Sequence, residues 1–219
     1  MEMKNHQIFY LVAGVIALSA TVPSIAQSQK LLSHNNPTAT VALAGSKAQT
    51  QRPPTKTGTI RVEGEKTQVP LKLYKQASPA FSTYYVSNYF VPEFSSSGEG
   101  SAVRFFVNTT GTKNQDAYVH FFFPARAKSL GQIRTLVNGK GGLIASNRWQ
   151  VVSRTQKVPY SWAKEKINFQ QRKGNQIRLG SVYLGENKGK AFYAIAHYPG
   201  EYGDGFAPRE DLIFQNVQF

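Results

Sequence analysis

The stretch from Gln176 to Tyr198 limits what this chain can fold into more than any other. It reads QIRLGSVYLGENKGKAFYAIAHY, two β-prone runs joined by Gly185-Glu186-Asn187-Lys188-Gly189. Val182, Tyr183 and Leu184 fill the first run; Phe192, Tyr193, Ile195 and Tyr198 fill the second. Branched and aromatic side chains suit a pleated surface, and a short glycine-bounded connection folds the second run back on the first. Pro199 to Phe219 then reads as a loop and a closing helix, so the sheet ends at this hairpin.

Earlier segments supply the rest of the sheet. Arg61 to Gly64 and Gln68 to Tyr74 read as early strands. In the second, Val69, Leu71 and Leu73 alternate with Pro70 and Lys72. Pro70 has no N–H to give a ladder and predicts an edge position. Phe81 to Val91 (FSTYYVSNYFV) is dense in aromatics and ends at Pro92. Ala102 to Asn108 and Ala117 to Phe123 flank a polar connection, Thr109 to Asp116, and form a second hairpin. Phe105, Phe121 and Phe123 lie on near-continuous apolar runs, the pattern of strands covered on both faces.

The period changes at Ser129 to Val137. Leu130, Ile133, Leu136 and Val137 share one helical face, with Ser129 as N-cap and Gly139 as stop. Trp149, Val151 and Val152 form a short strand, and Pro159 to Phe169 suits one or two amphipathic turns. Pro208 as a first helical residue, followed by Glu210 and Asp211 as partners of the helix dipole, starts the closing helix. Leu212, Ile213 and Val217 pack it on the sheet. The fold class expected is α+β: a mainly antiparallel sheet with helices packed on its faces, an α/β/α sandwich.

The opening has a different character. Met1 to Ala26 combines Lys4, the apolar run Ile8 to Ala20 and the small-x-small pattern Ser24-Ile25-Ala26, the three parts of a secretory signal. The run is shorter than the ~20 residues a spanning helix needs, and the competing reading is an uncleaved anchor. Gln27 to Thr59, rich in Ser, Thr, Asn, Gln, Ala and Pro, reads as a disordered leader. Ile60 to Phe219 is then one domain. Export places it in a periplasm, a thylakoid lumen or the extracellular space. The chain contains no cysteine, so thiol nucleophiles and thiolate metal sites are excluded.

Charge narrows the partners. The formal net charge is +14. Arg126 to Arg178 holds twelve cations against the single Glu165, a balance of +11, whereas Leu179 to Phe219 carries −2. A basic side attracts an anionic envelope component, a lipid head group or an acidic protein partner, and allows peripheral membrane contact. Export argues against nucleic acid. A solvated basic surface kept for solubility explains the same charge.

No recognisable catalytic set emerges. Ser161-Trp162-Ala163-Lys164 matches Ser-x-x-Lys and Lys56-Thr57-Gly58 matches Lys-Thr-Gly, but their order is the reverse of that in penicillin-recognising enzymes. His120 and His197 stand in predicted strands, where a histidine more often packs than binds metal. No cofactor is implied, and neither catalytic nor metal residues are assigned. The binding candidates are the cations and aromatics Arg148, Trp149, Tyr160, Trp162, Lys164 and Lys166, since aromatic faces beside cations suit sugars, head groups or proteins. His197, Tyr202 and Asp204 form a second candidate group. Glycoside hydrolysis, the alternative, needs two acids across a cleft, drawn from Glu99, Asp116, Glu201 and Asp204.

Tyr84 to Pro92 (YYVSNYFVP), the closing strand Ala191 to Pro199 and the terminal Pro208-Arg209 segment give an element order that resembles the PsbP/Mog1-like α/β/α sandwich family. The resemblance spans most of Ile60 to Phe219 and implies a non-catalytic partner-binding module, a role that in this family includes lumenal helpers of photosystem assembly. The functional expectation is therefore an exported, non-enzymatic binding or assembly module with a basic face. An envelope carbohydrate hydrolase is the alternative.

Overall fold

The computed structural model describes residues 51–219; the signal over Met1 to Ala26 and most of the leader lie outside the described residues. The order is β1 (Thr55–Val62), β2 (Glu65–Gln76), β3 (Phe81–Val86), β4 (Phe90–Ser97), β5 (Gly100–Val107) and β6 (Asn114–Pro124). Then come α1 (Leu130–Asn138), α2 (Leu143–Ser146), β7 (Gln150–Thr155), β8 (Ala163–Lys173), β9 (Gln176–Asn187) and β10 (Lys190–Pro199). A single 3-10 turn (Gly200–Tyr202) leads into α3 (Gly203–Gln215). The α+β class holds, but the strands form two sheets rather than one. β1-β2-β3 make a small sheet, and β4-β5-β6-β10-β9-β8-β7 make a large one, antiparallel throughout.

The division falls inside the aromatic run Phe81 to Val91. Its first half pairs with β2, the chain turns at Ser87 to Tyr89, and its second half crosses to the large sheet as β4. Pro92 does not end that strand. It sits within β4, the outermost strand, where a missing N–H costs no ladder bond. Pro70 lies instead in the central strand of the small sheet. Its carbonyl accepts from the Ser87 N–H, so the donor it lacks faces the point where β3 gives out.

One face of the large sheet is covered by the small sheet together with α3. Val103, Phe105, Phe121, Phe192 and Tyr183 meet Leu71, Phe81 and Val86 from one side and Phe206, Ile213 and Phe214 from the other. The opposite face is covered by α1 and α2, with Ile133, Val137 and Trp149 over Ile167, Phe169, Val182 and Ile195. Ser129 caps α1 as expected and makes a full capping box with Gln132. Leu136, expected on the buried stripe of α1, is 45% exposed.

Three boundaries differ from the sequence reading. The expected domain start at Ile60 falls inside β1, which begins at Thr55. Arg52 donates to Ser82 Oγ and to the Asn216 carbonyl, and Arg52 and Lys56 lie over the Tyr84 ring at 4.5 and 4.1 Å. Those contacts hold the end of the proposed leader to the domain. Pro159 to Phe169 is not amphipathic turns; it becomes a turn and then β8, because Ile167 and Phe169 are called into the ladder opposite Val182 and Gly180. Pro208 lies inside α3, five residues after its start. Glu210 and Asp211 are therefore not in a first turn, and Glu210 is buried.

Candidate functional site

The structure does not bring the six basic and aromatic candidates onto one face. Trp149 stacks flat on Phe169, with centroids 3.8 Å apart, beneath α1 and α2. Tyr160 and Trp162 stack on each other at 5.5 Å on the α3 side. There the Trp162 Nε1–H donates to the Phe214 carbonyl, and the Tyr160 hydroxyl donates to Asp211. All three rings are buried. Lys166 shares the α3 side, with Nζ 5.2 Å from the centre of the Tyr183 ring. Lys164 and Arg148 are exposed. Large aromatics beside a sheet bury more area by covering it than by facing water, and these do so.

His197, Tyr202 and Asp204 also stay apart. His197 is buried on β10 against Tyr118, and its Nδ1 lies 2.9 Å from the Asp116 carbonyl. Tyr202 accepts from the Asn114 side-chain amide, and Asp204 is exposed on the first turn of α3. β6 and β10 are neighbours, but His120 pairs with Ile195 and His197 with Tyr118, so the two imidazoles occupy different rungs. Burial, and then the nearby Arg104, push His120 down to about 3; burial also lowers His197. Among the described residues no three potential metal ligands cluster.

A different site stands at the end of the large sheet where β9 turns into β10. The connection is shorter than its glycines imply. β9 continues to Asn187, leaving Lys188 and Gly189 as the two turn residues, with φ of 48° and 72°. Two positive φ values in succession are the mark of a type I′ hairpin, whose twist matches that of the strands. Gly185 belongs to β9, not to the turn. A Cβ there would lie 2.6 Å from Phe192 Cζ, so the missing side chain makes room for that ring.

Three adjoining cavities of about 660, 680 and 120 Å³ share Lys188 and Phe219 in their walls. Arg52 and Lys75 add cations to the first, Lys164 to the second and Lys190 to the third. Glu186 is the one acidic side chain in the three walls. None of the five cations takes part in a salt bridge among the described residues, whereas Glu93, Asp116 and Glu165 are engaged by cations elsewhere. Burial, and then Arg52, lower the pKa of neighbouring Lys56.

Phe219 is the partly exposed ring of this recess, and Phe81 and Phe192 lie buried beneath it. Phe219 packs on Phe192 at 4.9 Å and on Phe81 at 5.9 Å. Two backbone hydrogen bonds of 2.8 Å between Ser82 and Gln218 pin the segment that carries it. Such a site can hold an anion by charge. Of its five cations, the sequence reading placed only Lys164 among the site residues. The Lys188-Gly189 pair was legible as a turn, but nothing local marked Arg52 or Lys75.

No family model matches the chain, and no curated protein matches it. Among solved structures, the chain is similar to the solution structure of cyanobacterial PsbP (CyanoP) from Synechocystis sp. PCC 6803. The identity is 13%, the match covers 68% of this chain and 91% of that one, and the TM-score is 0.47.

Proposed function

We propose that this chain is an exported, non-enzymatic docking module that holds an anionic group of an envelope component, a lipid head group or a protein complex in the recess beside the β9–β10 turn. The carrying observation is the convergence of Arg52, Lys75, Lys164, Lys188 and Lys190, none ion-paired among the described residues, on cavities with one acidic side chain. Unpaired cations gathered in a concavity raise the local potential and favour an anion over water. Export rests on the Met1 to Ala26 pattern. No helix among the described residues is long and apolar enough to cross a membrane.

The test is cosedimentation of the full chain with phosphatidylglycerol vesicles and with phosphatidylcholine vesicles over a salt series. Binding to the anionic vesicles is expected to fall about tenfold or more as salt passes from low to physiological strength, where the screening length shortens to ~8 Å. The double variant Lys188→Glu, Lys190→Glu is expected to lose it. Salt-indifferent binding, or binding unchanged in the double variant, would refute the assignment.

A further inference from the structure

The two larger cavities adjoin. Both have Lys188, Gln218 and Phe219 in their walls, so a ligand that fills one at this junction can continue into the other. At ~30 Å³ per water, cavities of about 660 and 680 Å³ each hold roughly twenty waters, of which a bare carboxylate or phosphate displaces only a few. The cations are spread along this length: Arg52 and Lys75 in the first cavity, Lys188 at the junction and Lys164 in the second. Neutral polar groups accompany them. Gln76 is occupied by Tyr74 and the Pro79 carbonyl, and Ser82 accepts from Arg52. The side chains of Gln51, Gln218, Ser161 and Asn187 have no hydrogen-bond partner among the described residues and remain open to a ligand. The backbone that carries the shared residues is ordered, Gln218 by its two bonds to Ser82 and Lys188 by the tight turn.

We infer that the two cavities together take an extended acidic polysaccharide, with successive carboxylates on Lys75, Lys188 and Lys164 and sugar hydroxyls on Gln218, Ser161 and Asn187. This rests on the docking reading above and names the class of anion. A lipid head group meets such a site at one point and leaves the amides and the second cavity unused. A polyphosphate answers the cations but has no hydroxyl to donate. The one acid in these walls, Glu186, is a fault in a site for charge alone, whereas a sugar hydroxyl can donate to it. Several weak contacts along one chain then add into a firm one, because each bound sugar holds the next near its own cation.

The probe is hexagalacturonate, titrated into the full chain by calorimetry at low salt beside galacturonate, hexaglutamate, polyphosphate and phosphatidylglycerol vesicles. Hexagalacturonate is expected to bind at least a hundredfold more tightly than galacturonate, and at least tenfold more tightly than hexaglutamate or polyphosphate. Lys188→Glu should weaken it at least tenfold. Gln218→Ala keeps the backbone bonds to Ser82 and the charge of the site, so it should weaken hexagalacturonate severalfold and leave polyphosphate unchanged. Lys75, Lys164 and Lys188 should be protected from acetylation by the hexasaccharide, a readout that needs no variant. Equal affinity for galacturonate and its hexamer overturns the inference and leaves anion docking intact. So does equal affinity for hexaglutamate or polyphosphate, or binding to the vesicles without binding of the hexasaccharide. Failure of every anionic probe overturns both readings.

Discussion

Replacing Glu210 by glutamine will stabilise the protein above neutral pH and remove most of its alkaline destabilisation. Glu210 lies on α3, 8% exposed, facing the large sheet. Burial is the main cause that raises its carboxyl from 4.5 to about 8; Lys166 on β8 opposes the rise and Asp211 adds to it. Tyr160, Tyr183 and Tyr198 complete the surroundings, each with its own pKa raised by burial and further by the Glu210 charge. Between 4.5 and about 8 the unfolded chain has released the proton while the folded chain keeps it, so stability is fully present below 4.5 and declines as pH rises through that window.

At ~1.4 kcal/mol per pH decade, the ceiling on this loss is about 5 kcal/mol. Relaxation and water entry reduce such penalties, and about 2–3 kcal/mol is the working expectation. His120, held down at about 3, acts in the opposite sense: its contribution is present above 6.5 and is lost as pH falls toward 3. Between 4.5 and 6.5 the two contributions offset each other, so stability should be level there, falling below 4.5 through His120 and above 6.5 through Glu210. Urea unfolding at half-unit steps from about pH 3 to 9 measures both limbs. In Glu210→Gln the alkaline limb should flatten, with a gain of about 5–10 °C in Tm at pH 8.5. If variant and parent lose stability in parallel above pH 6.5, Glu210 is not a buried, protonated group and the packing of α3 described above is wrong.

Two further outcomes follow from the packing. Gly185→Ala should cost about 1–3 kcal/mol, because its Cβ collides with the Phe192 ring under the recess; thermal unfolding reads this directly. Ser129→Ala should cost about 1 kcal/mol by removing the capping box of α1, and it should leave vesicle binding unchanged, since α1 lies on the other face of the sheet.

Local pattern was enough for the elements that satisfy themselves locally. The hairpin of β9 and β10, the α1 helix with its Ser129 cap and the β5–β6 pair all followed from period and turn chemistry, because neighbouring residues make most of their defining contacts. Where a segment's state depends on what it packs against, the same reasoning failed. Pro159 to Phe169 has a helix-like spacing, yet β9 offered it an open edge and it became β8. Pro208 reads as a helix start, yet α3 begins at Gly203 and holds the proline in its second turn.

By itself, then, the sequence determined an α+β, cysteine-free, basic chain with strands in hairpins, since composition and short-range periodicity specify those properties. Only the tertiary structure decided which side each residue faces and which cations stand together. Trp149 and Trp162 are thirteen positions apart and end on opposite faces of one sheet. Arg52, Lys75, Lys164, Lys188 and Lys190 come from distant segments and meet around Phe219. Side-chain direction alternates along every strand, and strand order is fixed by packing across the whole domain, so juxtapositions of this kind have no signature in any single window of the chain.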